Sequence, residues 1–362
     1  MKIKTSKNNL LSGIQIVQNI VSPKTTLPIL SNILIETQKD TLKLNGTDLD
    51  IGISCEVPVS ILEEGGITVP AKKFSDIIRE LPEGDVTVTT KKNNQIDIEG
   101  QNCHFKLSGL PKEEFPKFPE FKDSEVIQID QNIFKEMLRM TSFAVSHEES
   151  RYILNGVLLE VTGKIIRLVA TDGRRLAKIE KDLPNTIKKD ITIIIPAKAV
   201  HEISRNLKEE GTISFVVGAN QTLFDIDGVL IASRIIEGEF PNYNQVIPQP
   251  VSPKIKIATP DFLSAIRRAN LLTTPDYPVV KFEVFKDKIV ISKTNPEVGE
   301  SREEVSVEYG GNELIVGFNP QYLIDMLKNI DSSMVEFELY GPDKPGVMRL
   351  GDYLYVTMPM RV

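Results

Sequence analysis

Three segments of this 362-residue chain share one design: ITVPAKKFSDIIREL (67–81), IIIPAKAVHEISRNL (193–207) and IVGFNPQYLIDMLKNI (315–330). Each runs from a β-branched stretch through Pro or Asn into an amphipathic helix. Aligned on Pro70, Pro196 and Asn319, the copies lie 126 and 123 residues apart. Solenoid units run roughly 20–50 residues, whereas domains are commonly about 100–150. The period therefore constrains the chain to three copies of one domain, and its function to one that gains from triplication.

Each copy reads as strands around two helices. The first helix is signalled by LLSGIQIVQNI, IFKEMLRMTSF and FLSAIRRANLL, with Ser6, Asp130 and Thr259 as N-caps and Pro260 suited to a first turn. The second carries one apolar stripe: Phe74, Ile77, Ile78 and Leu81; then Val200, Ile203 and Leu207; then Leu323, Met326, Leu327 and Ile330. Alternating segments such as ILIETQKDTLKLNGTDLDIGISCEV, broken by Gly or Asp turns, read as antiparallel strands. The fold class expected is α+β, three tandem domains with two helices packed on antiparallel sheet. The Pro- and charge-rich stretches at 110–125 and 246–256 resist helix formation and mark the borders, giving domains at 1–124, 125–250 and 251–362.

The net charge of −7 argues against a nucleic-acid partner until the charges are assigned to elements. Across the six expected helices (7–20, 71–80, 132–141, 197–208, 261–270 and 320–329) there are twelve Lys/Arg and six Asp/Glu. That balance of +6 leaves −13 for the remainder. A basic surface made of helices suits a phosphate backbone, to which counterion release drives binding without reading sequence.

Little in the sequence does chemistry. His104, His147 and His201 are scattered, and Cys55 and Cys103 have no metal-ligand spacing, so neither a zinc site nor a disulfide framework is expected. No phosphate loop or nucleophile elbow occurs. The pairs Asp48/Asp50 and Asp225/Asp227 read as hairpin turns rather than metal ligands. Aromatics are 6% of the chain and Trp is absent, which disfavours stacking on single strands. Gln15, Gln18 and Asn19 interrupt any signal-peptide core, and no apolar run reaches the roughly 18 residues of a membrane span. The expectation is a cytoplasmic, non-catalytic binding scaffold with no metal or cofactor. The other classes considered are a non-ring repeat protein coating duplex DNA and a DNA-modifying enzyme with an unseen active site.

The ordered set TLPILSNILIE (26–36), GTDLDIG (46–52), TVPAKKF (68–74), RYILNGVLLE (151–160), ATDGRRLA (170–177), FPNYNQVIP (240–248) and MPMRV (358–362) resembles the β sliding clamp of bacterial replicative DNA polymerase over the whole chain. The resemblance implies three clamp domains per chain and a head-to-tail homodimeric ring whose basic helices surround duplex DNA. Such a ring slides without sequence specificity and acts as a processivity factor. It also implies a groove that receives short linear peptides from the polymerase catalytic subunit, the clamp loader and repair proteins.

Carried over by motif, that groove comprises Leu154, Thr171, Gly173, Arg174, Arg175, Leu176, Pro241, Val246, Val356, Met358, Pro359, Met360 and Arg361. Two methionines flanking a proline suit an adaptable apolar lining. Departures from the family pattern are Arg174 for His, Gln245 for Arg and Val362 for Leu. The DNA-contacting positions implied are Lys24, Lys72, Tyr152 and Lys198, with Glu148 and Ile153 departing from the usual residues nearby. The ring interface implied brings Phe105 and Leu107 to Leu271 and Leu272, with Lys73 near Glu300 and Glu303. His104 stands there where Arg is frequent, implying a weaker ionic rim.

Overall fold

The computed structural model describes residues 1–22, 25–119, 121 and 125–362. Lys24 and the border at residue 124 lie outside them. The chain forms two compact units, Met1–Gln131 with His201–Ile235 and Asn132–Val200 with Ile236–Val362. The expected helices are all present: α1 (Lys7–Gln18), α2 (Ala71–Glu80), α3 (Gln131–Thr141), α4 (Ala197–Asn206), α5 (Thr259–Asn270) and α6 (Pro320–Lys328).

In the first unit, the Ser6 hydroxyl accepts from the Asn9 amide at 3.2 Å and so starts α1. Leu10, Ile14 and Val17 face inward, one turn apart, onto the strands Thr41–Thr47 and Ile51–Pro58. Gly13 lies between them because a Cβ there would collide with Leu44 and Val57. Burying each such aliphatic side chain contributes about 1.5–3 kcal/mol, and a larger residue at position 13 would force the side chains of Leu44 and Val57 to shift from this packing. α2 packs beside α1 and buries Phe74 and Ile78 completely.

An eight-stranded antiparallel sheet runs through this unit, and its middle is the joint between two repeats. The strand Val229–Arg234 pairs with Ile51–Pro58 from Leu230–Ser54 to Ser233–Ile51. A five-stranded sheet ends at Cys103–Ser108, whose outer edge has no strand partner among the described residues.

The second unit holds a twelve-stranded sheet. Its repeat joint is again a backbone ladder, Arg175–Asp182 against Tyr353–Thr357, from Arg175–Thr357 to Ile179–Tyr353. Phe262 of α5 packs with Phe282 and Phe337, and Phe318 packs with the same two rings, at centroid separations of 5.6 to 6.3 Å, within the range of favourable edge and tilted contacts. The strand Gly299–Glu308 pairs along one side with Lys288–Asn295, but on the other only Val307 and Glu308 are paired.

Several local expectations shift. Thr259 is the first residue of α5 rather than its cap, because the strand Ile255–Ala258 runs straight into the helix and Pro260 fixes the first turn. α1 stops at Gln18, short of residue 20. α4 stops at Asn206 instead of 208, where the Lys208 amide leaves the helix to donate to Gln131 Oε1 at 2.9 Å. The Asp pairs are turn chemistry: Asp48 Oδ1 accepts from the amides of Asp50 and Ile51, and Asp225 Oδ1 from that of Gly228. Among the described residues no cluster of three or more His, Cys, Asp or Glu could hold a metal, and no helix is long and apolar enough to cross a membrane.

Candidate functional site

The ATDGRRLA segment folds as a tight hairpin turn in the second unit. Gly173 takes φ +86°, a conformation side chains rarely adopt. Thr171 Oγ1 accepts from the Gly173 amide at 3.0 Å, and Asp172 Oδ1 accepts from the amides of Arg174 and Arg175 at 2.9 and 3.0 Å. The two arginines then part company. Arg174 is exposed, and its hydrogen bond with Tyr322 raises its pKa.

Arg175 is held inside. Its side chain is 9% exposed and donates to Asp172 Oδ2 at 3.0 Å, Asp325 Oδ2 at 2.6 Å and the Phe143 carbonyl at 2.6 Å. The guanidinium also lies 4.6 Å from the Tyr322 ring centroid. Desolvation works against its charge, but Tyr355 and the two carboxylates outweigh it and the pKa is raised. Arg175 thus ties the turn to α6 and to the segment before it, leaving Arg174 as the arginine whose head group meets solvent.

The C-terminus docks on this turn. Leu176 pairs with Val356 in the ladder, the Met358 amide donates to the Arg174 carbonyl at 2.8 Å, and the Met360 amide to the Gly317 carbonyl at 2.8 Å. Chain ends are ordered only where something ties them down, and here two backbone bonds do so. Leu176 and Val356 belong to an apolar cluster with Leu158, Val169, Ile194, Tyr243, Val347 and Leu354, on which Ile153, Ile236, Phe240, Ile247 and Tyr340 pack partly exposed. Thr171, Gly173, Arg174, Arg175, Leu176, Val356, Met358 and Met360 are therefore one neighbourhood.

Sequence reasoning missed most of the floor. It named Pro241 and Val246, which are exposed, whereas Phe240, Tyr243 and Ile247 between and beside them pack down. It named Leu154, while the adjacent Ile153 is the residue packed on the cluster. Alternation around FPNYNQVIP could have suggested Tyr243, whose hydroxyl donates to Glu160 Oε2 at 2.7 Å and whose pKa burial and that carboxylate push up to about 12. Pro359 is half-buried and Arg361 exposed beyond the last strand.

The positions implied for DNA are on the surface: Lys72 and Lys198 are exposed and Tyr152 is 57% exposed. The positive charge of the helices is smaller than a count suggests. Arg139 is paired with Asp331 at 2.6 Å and Arg268 with Glu303 at 2.6 Å, and Lys208, just past the end of α4, with Asp227 at 2.8 Å. Lys72, Lys73 and Arg267 make no ion pair among the described residues.

Of the interface positions, Phe105 is 39% exposed on the free edge of its sheet, with Leu107 two residues on and half-buried. In the second unit Leu271 is 80% exposed, Leu272 is half-buried, and Glu300 and Glu303 lie on the strand with an open side. His104 Nε2 lies 3.8 Å from Asp97.

Repeated helix pairs on continuous antiparallel sheets, with a C-terminal strand closing a surface cluster, define a DNA clamp when set beside known proteins. The models for the N-terminal, central and C-terminal domains of the DNA polymerase III beta subunit match residues 1–119, 128–242 and 244–361. The beta sliding clamp of Chlamydia muridarum is 32% identical over 363 residues, covering 100% of this chain and 99% of its own. The crystal structure of the beta subunit from Pseudomonas aeruginosa matches with a TM-score of 0.95 at 32% identity over 100% of both chains. That of the Bacillus subtilis sliding clamp matches with a TM-score of 0.95 at 31% identity, covering 100% of this chain and 99% of the other.

The chain belongs to the DNA polymerase III beta subunit family, the β sliding clamps. It consists of three tandem clamp domains and serves as an accessory processivity clamp whose partners are DNA and DNA polymerase.

Proposed function

We propose that two copies of this chain close head to tail into a ring that encircles duplex DNA, with domain borders near residues 124 and 251. The free edge of Cys103–Ser108, carrying Phe105 and Leu107, would add to the open side of Gly299–Glu308 in the second copy, beside Leu271 and Leu272. Exposed strand edges attract other strands, and pairing each with its complement in a closed ring removes the hazard of open polymerisation. Lys73 would meet Glu300 across this joint. Glu303 serves it less directly, being already paired with Arg268.

Inside the ring Lys24, Lys72, Tyr152 and Lys198 would touch phosphates without gripping bases, so that topology replaces affinity. The ring does no chemistry itself. It would work in the cytoplasm and tether the polymerase catalytic subunit, the clamp loader and repair proteins through short peptides laid on the cluster around Leu176 and Val356.

The observation that carries this reading is the docking of the C-terminal strand on the ATDGRRLA turn, which makes one partly exposed apolar surface from two repeats. It is tested on nicked circular duplex loaded with the clamp by a clamp loader. Loss of the protein when the circle is linearised is the expected outcome, and retention on linear DNA would refute encirclement.

A further inference from the structure

The joint between the first two repeats has the backbone of the joint between the last two. Thr47 Oγ1 accepts from the Leu49 amide at 3.0 Å, and Asp48 Oδ1 accepts from the amides of Asp50 and Ile51 at 3.1 and 2.8 Å, the same bonds that Thr171 and Asp172 make in the ATDGRRLA turn. Leu49 takes φ +80° where the other turn has Gly173 at +86°. The Arg234 amide donates to the Asp50 carbonyl at 2.9 Å, as that of Met358 does to the Arg174 carbonyl. A linker follows each pair of repeats, with FPKF (115–118) at the first joint and FPNY (240–243) at the second, and Phe115 and Tyr243 are buried.

The side chains on that backbone differ. Gly52 pairs with Ala232 in the register where Leu176 pairs with Val356. Asn45, two residues before Thr47, stands where Val169 stands before Thr171, and Arg234 stands where Met358 does. The apolar floor is thereby lost, and Phe118 comes down over Gly52, where a Cβ would lie 3.3 Å from its ring. What remains is a cavity of about 260 Å³ whose lining includes Asn45, Asp50, Phe115, Lys117, Phe118 and Arg234.

Two observations point to a ligand. Asn45 is 6% exposed, and its Oδ1 has no hydrogen-bond partner. Leaving a buried acceptor unmade is costly, and folds keep few of them. Lys117 and Arg234 are exposed and make no ion pair among the described residues. Asp50 is the one carboxylate on the lining, so the cavity is positive in a chain of net charge −7.

We infer that the first joint is a separate docking site, which takes an acidic peptide in extended conformation. An extended peptide offers a backbone N–H that Asn45 Oδ1 can accept, and its carboxylates meet Lys117 and Arg234. The choice of a peptide rests on the groove proposed at the second joint; the preference for acidic residues rests on this cavity alone. A peptide selected by the apolar cluster around Leu176 and Val356 finds Gly52 and Ala232 here instead, so the two joints sort their ligands by chemistry.

The test uses fluorescein-labelled decapeptides tiling the replicative polymerase catalytic subunit and the clamp loader from the same genome, with binding to the full-length clamp followed by fluorescence anisotropy. Two groups of ligands are expected. One is lost when Met358–Val362 is deleted. The other is rich in Asp and Glu and survives that deletion. Lys117→Glu with Arg234→Glu should weaken this acidic group at least about fivefold, whereas Lys189→Glu with Lys286→Glu, two exposed lysines of the second unit, should change it less than about twofold. Asn45→Val, which gives the first joint the residue of the second, should weaken it as well. The charge reversals fall on exposed side chains, so folding is not at stake. Absence of the acidic group, its indifference to the Lys117 and Arg234 reversals, or an equal loss with the control pair would overturn the first-joint site and leave the groove standing. An acidic group that behaves as expected, with no ligand lost on deleting Met358–Val362, would overturn the groove alone.

Discussion

Arg175→Lys is the substitution that most directly probes how the ATDGRRLA turn is held. The guanidinium serves three acceptors in three directions, Asp172 Oδ2, Asp325 Oδ2 and the Phe143 carbonyl, with 9% of the side chain exposed. A lysine ammonium is a compact point charge on a flexible stem and cannot span all three. Hydrogen bonds to charged groups contribute about 1.5–3 kcal/mol each, so losing one or two costs about 3 kcal/mol, little reduced by solvent screening at this burial.

The chain has two compact units, and a single melting temperature blurs a local loss in one of them. Native-state hydrogen exchange resolves it. The amides of Arg174 and Arg175 are bonded to Asp172, and that of Met358 to the Arg174 carbonyl. About 3 kcal/mol should speed their exchange roughly 100-fold. Amides of α1 and α2 in the first unit should be unaffected. Acceleration below about threefold at Arg174 and Met358 would show that Arg175 does not hold the turn.

Three other outcomes are expected. Deleting Met358–Val362 should leave the two sheets intact by circular dichroism but weaken partner-peptide binding by at least about 2 kcal/mol, as truncations at interface hot spots do; unchanged affinity would refute the groove assignment. Cys55 is buried at 4% exposure, and burial followed by the charge of Glu56 pushes its thiol up to about 12. At pH 8 it should therefore stay protonated and resist iodoacetamide until denaturant is added, which mass spectrometry reads directly. Arg268→Gln should raise the Glu303 pKa in a carbon-detected NMR titration, because the hydrogen bond from Arg268 is what lowers it. With the folded pKa depressed, this pair stabilises the protein fully above the ordinary carboxylate value of 4.5, and its contribution disappears as pH falls through the lowered value.

The helices were legible because their signals are local. A stripe such as Phe74, Ile77, Ile78 and Leu81 needs only a period of 3.6, and Ser6 announces its own helix. Thr259 misled because its hydroxyl is a good cap in isolation, whereas the preceding strand delivers the chain one residue earlier. The motif ATDGRRLA folds as a hairpin turn, yet its two arginines look equivalent in sequence. Asp325, 150 residues away, and the Phe143 carbonyl help hold Arg175 inside while Arg174 stays out. The helix charges also depend on distant partners: Arg139 and Arg268 count as positive in one dimension, and Asp331 and Glu303 reach them across 192 and 35 residues. What sequence pattern cannot carry is a partner brought from another element.

The repeat joints also have a mechanical meaning. In each unit the boundary between two repeats is a row of backbone pairs, Leu230–Ser54 to Ser233–Ile51 in one and Arg175–Thr357 to Ile179–Tyr353 in the other. A pull along the strands loads such a row in shear, so the bonds must break together, whereas an ordinary linker simply straightens. A joint formed between separate chains by the same kind of row lacks only the covalent thread. It can be peeled open from one end, bond by bond, by a modest force applied at right angles, and re-zipped without refolding anything.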